Sequence, residues 1–306
     1  MYDLLKYYLK TDSTSRILQK LLNVKDFISH RTGEVYLSGS FKNLNVMIYD
    51  EHRFSVTGSI AKYHFGTNLE TLSRGDVPFA FKKLSKELNC DLSVAKVTRM
   101  EVGANLCLKH HVNEYMDLLG ECSRYTRLED GTRKSLTVIY NQKMKSLRFY
   151  NKLSEMLAKD AHNIPLWCDD QNILRYEIRL NRPDKDLKNK RITVSTLWDE
   201  SFFKNVLQFW QDKYSQIIKK KILILPDDIS FQKPSDFDRY CKAYTMQDDV
   251  MRKAIEMRVE YYTKEHTKSR IKTKMRDSQT SMKFLVESDR IKELDEQIRE
   301  IVLRYQ

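Results

Sequence analysis

The sequence predicts an α+β fold: two RRM-like strand-strand-helix-strand units forming a mostly antiparallel sheet, followed by a helical C-terminal region. Three observations carry this expectation. Hairpin-like stretches occur twice, each followed by a helix-like and then a strand-like segment, as an internal repeat at about 40–108 and about 134–180. Both closing strands hold an Arg-x-Glu triplet, Arg99-Met100-Glu101 and Arg175-Tyr176-Glu177. From Asp236 onward the composition turns polar, poor in glycine and helical.

In the first unit, Leu44 to Tyr49 and Arg53 to Lys62 read as strands across the short Asp50-Glu51-His52 connection. Val77 to Leu88 reads as an amphipathic helix because Phe81, Leu84 and Leu88 fall at helical spacing, and Ala95 to Leu108 reads as the third strand. In the second unit, Ser135 to Tyr140 and Ser146 to Lys152 flank the turn Asn141 to Lys145. Leu153 to Ala161 is the helix candidate and Ile173 to Leu180 the third strand. This order places helices on one face of the sheet.

Trp198 to Ile218 reads as an apolar helix opened by Asp199 and Glu200, whose charges favour a helix N-terminus. Pro226 and Pro234 bracket a loop, which divides the chain into a domain at 1–225 and a helical region at 236–306. Within that region the basic stretch Lys264, Lys268, Arg270, Lys272, Lys274 and Arg276 reads first as a solvated face and second as a nucleic-acid contact. Ile291, Leu294, Ile298, Ile301 and Tyr305 alternate spacings of three and four. That seam fits a helix of the same domain or of a second copy, so a homodimer is one expectation.

Among 306 residues, 54 Lys and Arg stand against 42 Asp and Glu, a net charge of +12 that suits a partner rich in phosphate. No apolar run reaches transmembrane length and the start MYDLLKYYLKTDSTSR lacks a signal-peptide core, so the expected location is the cytoplasm, with no membrane partner. The five cysteines form no Cys-x-x-Cys pair, so neither a zinc knuckle nor a disulfide framework is indicated and the expectation is reduced, mostly buried thiols. No phosphate-binding G-x-x-x-x-G-K-[ST] loop is present, so strand separation would fall to a host or element helicase.

Alternation along a strand sorts the candidate functional residues. Arg148, Tyr150 and Lys152 share one face of their strand; Arg175, Glu177 and Arg179 share a face of theirs; Arg99, Glu101, Gly103 and Asn105 share a face of the third. The bland reading is a solvated sheet face with cross-strand ion pairs. The chemical reading is that cations lower the phenol's pKa from about 10. Carboxylates on adjacent strands would hold Mg2+ or Mn2+ to polarise a phosphodiester. His110 and His111 point to opposite strand faces and do not form a metal site.

The stretches KVTRMEVGAN, SLRFYNK and RYEIRL, with SVTGSIAKYHFGTNLETLSR upstream, resemble phage and plasmid replication initiators of the filamentous-phage gene II/X type. More distantly they are similar to the rolling-circle initiators of staphylococcal plasmids. The likeness runs over roughly residues 35 to 220. It implies an endonuclease that nicks and rejoins one DNA strand at an origin, at a single-stranded or hairpin site, through a 5′-phosphotyrosine link. Carried over, the family's Arg-x-Tyr-[Asn/Asp]-Lys strand makes Tyr150 the nucleophile with Arg148 and Lys152 as its cationic neighbours. Its Arg-x-Asp and Arg-x-Glu strands make Glu101 and Glu177 the metal ligands. Glu101 replaces the more usual Asp, and Asn105 stands where a second acid often occurs. Arg99, Arg175, Arg179, Lys62 and Asn68 are the candidate DNA contacts. The alternative is a non-catalytic nucleic-acid-binding protein whose basic, aromatic sheet face stacks bases. The chain lacks an RNP1 motif, and glutamates on that face repel phosphates unless a cation bridges them.

Overall fold

Period-two alternation of apolar and polar residues builds one ten-stranded sheet from the first 180 residues. The computed structural model describes residues 1–12, 14–29, 33–132, 135–160, 164–168, 170–223, 234–245 and 284–305. The basic stretch Lys264 to Arg276 and the loop beginning at Pro226 lie outside the described residues. In chain order the elements are β1 (Tyr2–Lys10), α1 (Thr14–Leu18), β2 (Leu22–Ile28), β3 (Val35–Phe41), β4 (Leu44–Asp50) and β5 (Arg53–Ser59). There follow α2 (Ile60–Phe65), α3 (Asp76–Leu88), β6 (Lys96–Leu108), α4 (Val112–Met116), β7 (Leu119–Cys122), β8 (Thr126–Asp130), β9 (Thr137–Gln142) and β10 (Lys145–Asn151). After α5 (Lys152–Asp160), β11 (Asn172–Leu180) and α6 (Pro183–Asp186), the chain ends with α7 (Glu200–Ser215), the short strands β12 (Ile217–Lys219) and β13 (Ile222–Leu223), α8 (Pro234–Thr245), β14 (Leu285–Val286) and α9 (Asp289–Tyr305).

The sheet order is β2-β3-β4-β5-β1-β6-β11-β10-β9-β8, and every neighbouring pair is antiparallel. The expected α+β class, antiparallel sheet and helical C-terminus are all present. The third strands of the two units, β6 and β11, pair with each other at the centre. Strands β1, β2, β3, β7 and β8 were not anticipated, and of these β1 wedges between β5 and β6, so the first unit is split where the second is not. Its signal lies in Leu5, Tyr7 and Leu9 alternating with Lys6, Tyr8 and Lys10.

Two boundaries differ from expectation for local reasons. The strand read as Arg53 to Lys62 ends at Ser59, whose hydroxyl accepts the Lys62 N–H and caps α2. Gly66, at φ 83°, then closes that helix in the left-handed region where glycine carries no steric penalty. The expectation of helices on one face also needs correction. Helices α3, α4, α7 and α9 bury apolar stripes against one face, whereas α5 lies on the other, where Met156 packs with Leu69, Cys168 and Ile173. Of the thiols, only Cys122 and Cys168 are buried; Cys90 is half-buried, and Cys107 and Cys241 are exposed.

The apolar face is aromatic at its centre. Phe149 of β10 stacks on Tyr176 of β11 at 4.5 Å between ring centroids, and Tyr176 packs on Trp210 of α7 at 4.7 Å. The Tyr176 hydroxyl donates to the Trp210 carbonyl at 3.1 Å, which satisfies a buried polar group. Helix α9 packs against this same core. Ile291, Leu294, Ile298 and Ile301 are all buried, and Glu293 accepts from the Lys109 N–H at 2.9 Å and the Tyr115 hydroxyl at 2.7 Å. The seam is therefore filled by the chain's own sheet and by α7.

Because Ile298 is 1% exposed in that core, Ile298→Ala is expected to destabilise the whole domain by about 2–5 kcal/mol. Urea unfolding followed by circular dichroism checks this; an unchanged midpoint would show that α9 is an independent appendage.

Candidate active site

The face opposite the aromatic core is polar because the odd-numbered residues of β6 and β11 and the even-numbered residues of β10 point there. Register aligns them in three rungs: Ser146, Arg179 and Glu101; Arg148, Glu177 and Gly103; Tyr150, Arg175 and Asn105. Glycine is required in the middle rung. A Cβ on Gly103 would lie 2.8 Å from the Glu177 Cβ and 2.9 Å from the Tyr176 carbonyl oxygen, closer than real atoms pack.

Two further elements close the site. The β1–β6 register slips between Tyr2 and Leu5, and this irregularity turns both Asp3 and Leu4 toward the polar face. Helix α5 forms the opposite wall through Ser154, Glu155, Ala158 and Lys159. Between them lies a hollow of about 440 Å³ that reaches Glu101, Arg148, Tyr150, Glu177 and Arg179.

Charges in the floor are tightly matched. Arg175, with its side chain 2% exposed, meets Asp3 at 2.7 Å, the Asn105 side-chain oxygen at 3.1 Å and Glu177 at 3.7 Å. Asp3 also accepts from the Ser59 hydroxyl at 2.5 Å. Glu101 pairs with Arg99 at 2.7 Å and with Arg179. Arg148 lines the hollow with its buried Nε unpartnered among the described residues. The Tyr150 hydroxyl donates to Glu177 Oε2 at 3.2 Å.

These surroundings decide protonation, and not as the flanking cations suggested. Burial first and then the Glu177 carboxylate push the Tyr150 phenol well above its ordinary value, while Arg175 pulls it down. The resting group is a protonated phenol. Burial likewise raises Glu177, against the pull of Arg175, with Glu101 and Asp3 adding like-charge repulsion.

The residues expected from sequence thus differ in where they lie. Tyr150, Arg148, Glu101, Glu177, Arg179 and Asn68 line the hollow. Lys62 lines a smaller neighbouring hollow with Asn68, Glu155 and Lys159. Arg175 lies beneath the floor and Arg99 beside it, each braced against carboxylates. Lys152 does not share the strand: it is the first residue of α5, fully buried behind the hollow's wall, and its ammonium binds Glu155 at 2.7 Å. Asp3, Ser59 and Glu155 were not found from sequence; Asp3 and Ser59 come from a strand and a helix cap distant along the chain, and Glu155 from the helix that follows β10.

Glu101 and Glu177 are diagonal neighbours on adjacent strands, roughly 7–8 Å apart by sheet geometry, within reach of one shared ion. Among the described residues no three His, Cys, Asp or Glu side chains converge as a ready-made metal site. The donor chemistry nevertheless fits a hard divalent cation: two buried carboxylates whose mutual repulsion is evident at Glu177. Magnesium characteristically takes one or two carboxylates and completes its shell with water and substrate phosphate.

The raised Glu177 gives a signed pH effect. The folded state holds a proton that the unfolded state releases near pH 4–5, so stability falls as pH rises above about that range. In chelator, Glu177→Gln is expected to flatten this decline in melting temperature; a variant that loses stability more steeply than the parent would reverse the sign.

Among the described residues no helix is long and apolar enough to cross a membrane. No individual curated protein matches the chain significantly. The N-terminal family of the filamentous-phage gene II replication-associated protein matches residues 1–201, which contain the sheet and every residue of the polar hollow. Order of strands, site residues and this match agree: the chain belongs to the filamentous-phage gene II family of replication-associated proteins and is a phage replication initiator.

Proposed function

We propose that this chain initiates rolling-circle replication by nicking one DNA strand at an origin and later rejoining it, with Tyr150 as nucleophile. One observation carries the choice. Tyr150 is the single tyrosine among the residues lining the polar hollow, while Tyr140 and Tyr176 are fully buried on the opposite face, bonded to the carbonyls of Gly120 and Trp210.

The chain's own groups divide the work. Arg148, cross-strand from Glu177 and lacking a partner for its Nε among the described residues, is placed to bind the scissile phosphate beside the Tyr150 hydroxyl. Arg179 supplies a second cation at the rim once phosphate competes for its pair with Glu101. Glu177 orients the phenol through its hydrogen bond. The phenol's resting proton would pass along its hydrogen bond to Glu177 Oε2 during attack and from there to the departing 3′ oxygen, and a phosphate at Arg148 would bring reactant and nucleophile together. The tyrosine oxygen then bonds to phosphorus, the bond from phosphorus to the 3′ oxygen breaks, and the freed 3′-hydroxyl is left to prime a polymerase. Rejoining is the reverse displacement. Glu101 and Glu177 are the residues that would hold Mg2+ or Mn2+, which when bound supplies Lewis-acid polarisation of the phosphodiester.

DNA is the substrate, and a helicase from host or element is the expected partner, since the chain has no nucleotide-binding loop of its own.

Tyr150→Phe removes one oxygen held by a single long hydrogen bond, so stability should change by no more than about 1 kcal/mol while nicking of supercoiled origin DNA falls more than about 10³-fold. Mass spectrometry of the covalent adduct identifies the residue; a DNA-linked peptide carrying another tyrosine would refute the assignment. Glu101→Gln and Glu177→Gln are each expected to weaken cleavage at least about tenfold and to raise the magnesium requirement with DNA binding retained. Undiminished cleavage in excess chelator would rule out metal assistance.

A further inference from the structure

A second hollow, of about 210 Å³, lies at the end of the sheet where the last turn of α9 meets the 3-10 turn Leu166–Cys168. The nicking chemistry makes no use of it. Its walls combine Trp167, Tyr305, Ile173 and Arg304. Trp167 is 57% exposed, and Arg304 is exposed with no hydrogen bond or ion pair among the described residues. The Tyr305 hydroxyl reaches the Thr71 carbonyl at 3.4 Å, which ties the end of α9 to this wall.

The hollow is linked to the nicking site by one side chain. Asn105 lines it, and the same Asn105 accepts from Arg175, the cross-strand partner of Tyr150. Two strand spacings, roughly 10 Å, separate Tyr150 from Asn105 in the sheet. The small apolar cluster of Leu69, Met156, Cys168 and Ile173 backs this hollow, to whose wall it contributes Leu69 and Ile173.

We propose that this second hollow receives one unpaired nucleobase of the substrate strand flanking the nicked phosphodiester, stacked on Trp167, with its phosphate on Arg304. The proposal rests on the nicking reading above. An exposed indole beside an unneutralised guanidinium matches the two parts of a nucleotide: a ring with a π face that tolerates any base, and an anion. The hollow is too small for a base pair, so a base enters only after unpairing, and duplex DNA is discriminated against by the cost of that step. Helix α9, buried in the domain core through Ile298, thereby becomes part of the DNA path.

The chain has three tryptophans. Trp210 is fully buried and Trp198 packs against the core, which leaves Trp167 as the one a base can stack on. Single-stranded oligo(dT) should quench the protein's fluorescence, and Trp167→Phe should abolish that quenching. By anisotropy of labelled oligo(dT), Trp167→Ala should weaken binding about 5- to 150-fold, the span expected for losing one stacked base. Arg304→Ala should weaken it and reduce the salt slope by about one ion. Binding without quenching, quenching that survives in Trp167→Phe, or absence of oligo(dT) binding would each overturn the proposal. Nicking assays run in parallel separate the two readings: nicking with no quenching sinks the base hollow alone, and quenching with no nicking by the parent protein sinks the nickase alone.

Discussion

The polar face is organised around one buried cation. Arg175 sits in the central strand with 2% of its side chain exposed, and an unpaired guanidinium there would carry a desolvation penalty of several kcal/mol. Its partners come from three different strands: Asp3 from β1, Asn105 from β6 and Glu177 from its own strand. Strand β1 thus has a reason to lie at the centre and to be irregular at Asp3. A regular strand with Tyr2 packed on Phe203 in the core would not turn both Asp3 and Leu4 to the other face.

The two faces of the sheet divide their tasks. Stacked Phe149 and Tyr176, covered by Trp210, hold β10 and β11 rigidly in register from below. Tyr150 and Glu177 are the next residues along the same strands and inherit that register on the side above. Functional side chains placed on packed strands keep their relative positions more closely than side chains on loops. Gly103 contributes by absence, since any side chain there would push β6 away from Glu177 and widen the floor.

Burial has a chemical consequence that composition did not foretell. A chain with net charge +12 places a phenol and a carboxylate where both resist ionisation, because local desolvation and like charges within the hollow outweigh a distant excess of lysine and arginine. The overall charge acts at long range, drawing an anionic strand toward the protein. The arginines at the hollow act at contact distance, on the resident carboxylates.

Local pattern alone determined much. Alternation placed Arg99, Glu101, Gly103 and Asn105 on one face and Tyr176 on the other, and helical spacing found α3, α5 and α7 within a few residues, because faces and periods are set by backbone geometry. The family was also legible, since its motifs are short and contiguous within strands. Tertiary structure decided what depends on contacts distant in the chain. Asp3 and Arg175 are 172 positions apart, and nothing near either one announces the pair. Lys152 was misplaced because the chain turns from strand to helix at Asn151, whose side chain accepts the Ser154 N–H, and a lysine at the first helical position no longer follows the alternation of the strand before it. The seam of α9 showed that a partner surface was needed; only packing decided that the surface was this chain's own sheet, because a hydrophobic stripe specifies burial and not what buries it.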